Sequence, residues 1–199
     1  LALEISNTKI NKNDNPIVII GKGVTFDTGG LNLKPGNSMR YMKKDMGGAA
    51  IAIALFLIIK TFLKNTKIKL IIPVAENSVS SNAMRPGDVL TAYNNKTIEI
   101  TNTDAEGRLL LADALIRTKE LSPKLIIDFA TLTGAARAAL GEDLPAYYTN
   151  NNQLAKKINS TSYANSIWRM PLHSLYNNKM KSDVADIVNA SSDGMAGSI

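Results

Sequence analysis

The chain has 199 residues, 45% of them hydrophobic, no cysteine, and a formal net charge of +6 from 23 Lys and Arg against 17 Asp and Glu. This suits one α/β domain with a sizeable core and excludes a disulfide scaffold or any thiolate metal site. The lysines are scattered rather than massed, so the charge alone is a weak argument for a nucleic-acid partner.

In chain order, strand-like and helix-like segments alternate. Apolar runs predict strands over 17–21, 69–74, 97–101, 124–130 and 146–149, and helical periodicity predicts helices over 47–63, 107–121 and 152–160. The expected fold class is α/β, a central mostly parallel or mixed sheet with helices on both faces. Leu70-Ile71-Ile72 and Leu125-Ile126-Ile127 are continuous apolar runs, as central strands covered on both sides require. The first two helices are apolar on most sides, which predicts burial between the sheet and a further layer. The longest apolar stretch, 49–59, is shorter than the roughly 20 residues a membrane helix needs, and no signal peptide opens the chain. A cytoplasmic protein with no membrane partner is therefore expected. Asn94-Asn95 and 150–152 read as turns, with no internal repeat or interdomain linker.

The chemistry concentrates in Asn102-Thr103-Asp104-Ala105-Glu106-Gly107-Arg108. If this stretch is extended, Asp104, Glu106 and Arg108 leave one face, just before the apolar start of a helix. Carboxylates at such a junction need compensation, and metal ions provide it for several at once. Upstream, Gly21-Lys22-Gly23-Val24-Thr25-Phe26-Asp27-Thr28-Gly29-Gly30 follows a strand, with Lys34 and Asp45 soon after. The four negative charges of Asp27, Asp45, Asp104 and Glu106 match two divalent cations, with Lys22 as a neutral amine ligand. Lys34 and Arg108 remain as cations suited to an anionic transition state such as that of amide hydrolysis. These groups fall at strand ends and loop-to-helix junctions, where α/β sheets gather ligands.

Taken singly, each residue has a plainer reading. Lys22 could be an exposed strand-end lysine, Lys34 a turn lysine, Asp45 a helix N-cap, Asp104 an Asx-turn residue and Glu106 a first-turn carboxylate paired with Arg108. Asp128, inside an apolar strand, either pairs with a backbone donor or supports the metal ligands from behind. His173 is the single histidine and reads as structural, which excludes a His-Glu-x-x-His zinc site. There is no Gly-x-Ser-x-Gly elbow, and Gly21-Lys22-Gly23 is neither a dinucleotide fingerprint nor a P-loop. A two-metal phosphatase or nuclease is the chemical alternative, although a lysine ligand is unusual there.

The segments 21–30, 45–50, 102–115 and 130–135, in this order, closely resemble the leucyl (cytosol) aminopeptidases, a dizinc or dimanganese family of metallopeptidases. The resemblance covers essentially the whole chain. It implies a partial catalytic domain over 1–199, with an N-terminal domain before it and the C-terminal end of the catalytic domain after it. By resemblance, Asp27 and Glu106 bridge two divalent ions, Mn2+ or Zn2+; Lys22 and Asp45 complete one ion's ligands and Asp104 the other's. Lys34 would polarise the scissile carbonyl, and Arg108 would anchor a bicarbonate acting as general base. Met42 and the Thr131–Gly134 loop, through Thr131, Leu132 and Gly134, resemble the substrate-binding residues. The implied activity removes an N-terminal residue, by preference leucine or another bulky apolar one, from peptides through a two-metal-activated water. A homohexamer is the implied assembly, and DNA binding, known in some relatives, is a further expectation that the sequence itself does not support.

Overall fold

The computed structural model describes residues 2–11 and 13–191. The chain forms two compact units: Leu1–Thr131 with Ser182–Asn189, and a second built around Leu132–Lys181.

The first unit is organised by a five-stranded sheet. Its strands are β1 (Ala2–Ser6), β2 (Ile17–Gly21), β3 (Gly23–Asp27), β4 (Ile68–Asn77) and β7 (Leu125–Phe129). The order runs β1-β4-β2-β7, with β3 also on β4. β1 is antiparallel to β4 and the other pairings are parallel, so the sheet is mixed, as expected. β4 is longer than predicted because it serves two partners in succession: Ile68–Ile71 pair with β2, and Val74–Asn77 with β3. Between them the chain breaks at Lys22, whose N–H donates to the Phe129 carbonyl and whose own carbonyl accepts from Ala49 N–H. The glycines around this break read as a turn, which hides β3.

Alternation along β2 and β4 divides the core between the two faces. On one side Ile19, Ile68, Leu70 and Ile72 pack with Ala49, Ala52 and Phe56 of α1 (Gly47–Phe62). On the other, Val18, Ile20 and Ile71 pack with Leu111 and Ala114 of α2 (Gly107–Thr118). Each fully buried aliphatic side chain contributes roughly 1.5–3 kcal/mol. That exceeds the roughly 1 kcal/mol cost of a helical glycine such as Gly48. Gly48 is also required, since a Cβ there would lie 2.2 Å from the Phe129 carbonyl oxygen.

Helices thus cover both faces, but α1 is not enclosed on its outer side in this chain: Ile51, Leu57, Ile58 and Phe62 are exposed. The helical run Gly36–Phe62 is long and apolar enough to cross a membrane by length and composition alone. Its first nine residues, Gly36–Lys44, are a 3-10 helix carrying Arg40, Lys43 and Lys44. The 16 residues of α1 extend about 24 Å, short of the roughly 30 Å hydrocarbon core.

A smaller sheet completes the first unit, with β5 (Val89–Thr91) antiparallel to β6 (Thr97–Glu99) and β10 (Ile187–Val188) parallel to β6. β6 is shorter than predicted, because after Glu99 its place is taken by hydrogen bonds to loops. α2 ends at Thr118 and continues as a 3-10 turn over Lys119–Leu121. In the second unit, α3 (Ala135–Leu140), β8 (Ala146–Tyr147), α4 (Asn152–Asn159) and β9 (Trp168–Arg169) follow one another. Asn151 caps α4 by accepting from the N–H groups of Gln153 and Leu154, and β8 runs parallel to β9.

Candidate metal centre

The break at Lys22 points its side chain into the first unit rather than into solvent, and the residue is 2% exposed. Its Nζ lies 2.6 Å from Asp45 Oδ2 and 3.0 Å from Glu106 Oε1, and it donates to the Thr131 carbonyl at 3.1 Å. Gly107 makes room for it, since a Cβ there would stand 2.3 Å from Lys22 Cε. The strand-end reading of Lys22 as exposed is thereby excluded.

Asp27 ends β3. Its Oδ1 accepts from Gly29 N–H and from Asn77 Nδ2, each at 2.9 Å, and its Oδ2 pairs with Lys34 Nζ at 2.7 Å. Gly29 and Gly30 have φ of +87° and +67°, a conformation glycine adopts without strain. They reverse the chain so that Lys34 N–H reaches the Thr28 carbonyl. The Lys34 ammonium also binds Asp104 Oδ1. Asp45 does not cap α1; Met46 holds that position. The Asp45 carboxylate is buried instead, with Oδ1 accepting from the Thr131 hydroxyl at 2.8 Å.

The segment carrying Asp104, Glu106 and Arg108 is not extended. It is a turn leading into α2, with Glu106 already helical at the N-cap and Arg108 inside the first turn. Thr103 anchors it: its hydroxyl donates to the Gly29 carbonyl at 2.6 Å, and its N–H donates to Asn32 Oδ1 at 2.8 Å. Asn189 adds a clasp from far along the chain, accepting from Thr101 N–H at 2.9 Å and donating to the Asn102 carbonyl at 2.7 Å.

Together these elements converge Lys22, Asp27, Lys34, Asp45, Asp104, Glu106 and Thr131 in one hydrogen-bonded network. Asp27, Asp45 and Glu106 each offer an oxygen within 4.8 Å of the others, all buried. Four carboxylates face two lysines in direct ion pairs, with Arg108 beside Glu106 as a further cation, which leaves a net negative charge if all are ionised. Burial pushes Glu106 up despite Lys22, and burial likewise pushes Asp104 up despite Lys34. Asp27 is the exception: burial opposes its charge, but Lys34, Gly29 N–H and Asn77 together hold it below the usual carboxylate range. Lys34 is raised, because Asp104 and Asp27 outweigh its burial. Burial lowers Arg108 against the pull of Glu106. A buried cluster of oxygen donors lacking positive charge, with its outer oxygens already oriented by N–H and O–H donors, fits divalent cations.

The remaining expected residues are distributed as follows. Met42 is half-buried in the 3-10 helix, with its carbonyl accepting from Asp45 N–H. Leu132 and Gly134 belong to the second unit, where Leu132 is exposed and Gly134 precedes α3. His173 is exposed and stacks edge-on with Tyr176. Asp128 lies on β7 in register with Ile20, exposed. Asn32, Asn77, Thr103 and Asn189 were not singled out by sequence reasoning. Their contacts span 26 to 88 residues, and no local spacing announces them.

Residues 1–199 match the cytosol aminopeptidase family, catalytic domain. Among curated relatives, a "Probable cytosol aminopeptidase" of Legionella pneumophila (strain Corby) is 44% identical over 191 residues, covering 95% of this chain and 40% of the relative. A crystal structure of cytosol aminopeptidase from Coxiella burnetii superposes with a TM-score of 0.89 at 46% identity, over 98% of this chain and 43% of that one. The bottromycin maturation enzyme BotP has a TM-score of 0.83 at 38% identity, over 98% and 42%. The chain therefore spans about 40% of the length of the relatives it matches.

Proposed function

Because the chain belongs to the cytosol aminopeptidase family, we propose that the protein is a metal-dependent aminopeptidase that removes the N-terminal residue, by preference leucine or another bulky apolar one, from peptides. The observation that carries this reading is the buried cluster of Asp27, Asp45 and Glu106 oxygens closed by Lys22 and Lys34. Lys22, Asp27, Asp45, Asp104 and Glu106 would hold two divalent cations, Mn2+ or Zn2+. Asp27 and Glu106 are assigned to both ions, Lys22 and Asp45 to one, and Asp104 to the other. When bound, the ions would polarise the scissile carbonyl and make the attacking water acidic near neutral pH, with bicarbonate as general base.

Lys22 acts as a ligand only after giving up a proton. Its position between Asp45 and Glu106 keeps the amine aimed at the cluster. Lys34 has the opposite task. As an ammonium beside Asp27 and Asp104, it would donate to the oxyanion that develops on the carbonyl oxygen. Arg108, in the first turn of α2 beside Glu106, would hold the bicarbonate by its guanidinium fork. Met42 and Thr131 are the proposed substrate contacts in the first unit, and Leu132 and Gly134 keep the substrate-binding assignment that resemblance gives them. Peptides are the proposed substrates, the cytosol the proposed location and a homohexamer the proposed assembly.

The test is hydrolysis of a leucine chromogenic amide by the full-length protein after chelation, with and without added Mn2+, beside Asp104→Asn. Activity restored by Mn2+ in the wild type and absent in the variant, together with lost metal, is expected. Full turnover by Asp104→Asn would overturn the ligand assignment.

A further inference from the structure

Asn77 ends β4, opposite Asp27 in the strand register, and is buried. Its Nδ2 lies 2.9 Å from Asp27 Oδ1, 3.0 Å from the Thr103 carbonyl oxygen and 3.4 Å from Glu106 Oε2. All three partners are acceptors, which fixes this atom as the NH2 group of the amide. Two protons serve three acceptors. The two short contacts are direct bonds, and Glu106 shares a proton at the longer distance. Asn77 therefore joins two segments far apart in sequence: the end of β3 at Asp27, and the Thr103–Glu106 turn that leads into α2.

The surroundings are shaped for this amide. Gly30 sits against it, and a Cβ at Gly30 would lie 2.9 Å from Asn77 Oδ1 and 3.0 Å from Thr103 Oγ1. The Asn77 carbonyl accepts from both the N–H (2.8 Å) and the hydroxyl (2.9 Å) of Thr28, so its backbone is held next to Asp27 as firmly as its side chain. A neutral donor is the chemistry this position needs. A carboxylate would repel Asp27 and Glu106, and a lysine would add a third ammonium where cations are to enter.

We propose that Asn77 is the positioning residue of the metal centre, setting the mutual spacing and orientation of Asp27 and Glu106 so that both face the same pair of ions. The inference rests on the metal assignment proposed above. It assigns Asn77 no contact with metal or substrate. Its effect passes through the two carboxylates, and loss of such outer support typically weakens metal affinity about 10- to 100-fold.

The experiment measures Mn2+ binding to the full-length protein by titration calorimetry, alongside thermal unfolding, for wild type, Asn77→Ala and the core variant Val18→Ala. Val18 is fully buried in the cluster under α2 and makes no contact with the metal centre. Asn77→Ala is expected to bind Mn2+ 10- to 100-fold more weakly than wild type, whereas Val18→Ala melts earlier but binds as wild type does. Binding by Asn77→Ala within about two-fold of wild type, or an equal loss in Val18→Ala, would overturn the positioning role. A wild-type protein that takes up no Mn2+ would overturn the metal assignment itself, and the inference with it. Should Asn77→Ala not fold, Asn77→Leu, which is close to asparagine in shape but has no donor, is titrated in its place against the same criteria.

Discussion

At the scale of single residues, the proposed function gives different work to two lysines with similar surroundings. Lys22 is enclosed between Asp45 and Glu106, and Lys34 between Asp27 and Asp104. Resemblance assigns the first to a metal and the second to the substrate's oxyanion, so their substitutions should separate. Lys34→Ala is predicted to retain its metals while kcat falls about 10²- to 10³-fold, the usual cost of an oxyanion donor. Steady-state kinetics with metal analysis of the same sample checks this, and a loss well under ten-fold would remove Lys34 from that role. The carboxylates and lysines were legible in the sequence because several sit within short motifs rich in glycine. Asn77, Thr103 and Asn189 were not, because an uncharged amide or hydroxyl acquires meaning only from partners tens of residues away.

At the scale of elements, strands of continuous apolar residues were readable; β6 and β8 were placed but drawn too long, and β1, β3, β5, β9 and β10 were not foreseen. β2, β7, α1 and α4 fall within a residue or two of their predicted bounds. β3 is hidden by the glycines at its start, and spacing alone cannot tell whether 104–108 is extended or, as found, a turn into the helix expected from 107. β10 has two residues and is held mainly by side chains beside it. Asp186 accepts from Thr97 N–H at 2.8 Å and from its hydroxyl at 2.9 Å, which holds the carboxyl below its ordinary pKa. A depressed pKa means stabilisation that is fully present above the unfolded value, about 3.9, and is lost as pH falls through the folded one. Asp186→Asn should therefore be less stable than wild type at neutral pH, with the gap closing in acid. Denaturant melts across that range provide the measurement, and a gap independent of pH would contradict the account.

At the scale of the whole molecule, the chain folds back on itself: Ser182–Asn189 joins β6 and the 101–105 turn of the first unit. A return of this kind leaves no local trace in composition. The α/β class and the coverage of both sheet faces were legible, since the apolar alternation on β2 and β4 serves α1 on one side and α2 on the other. The exposed Ile51, Ile58 and Phe62 on α1 stand beside the fact that the chain spans about 40% of the length of its relatives. The central claim concerns what these elements gather at the ends of β2 and β3, and anomalous diffraction from Mn2+-soaked crystals of the full-length protein tests it most directly. Two anomalous peaks are predicted, both enclosed by Lys22, Asp27, Asp45, Asp104 and Glu106. Peaks elsewhere, or none among these residues under saturating Mn2+, would contradict the account.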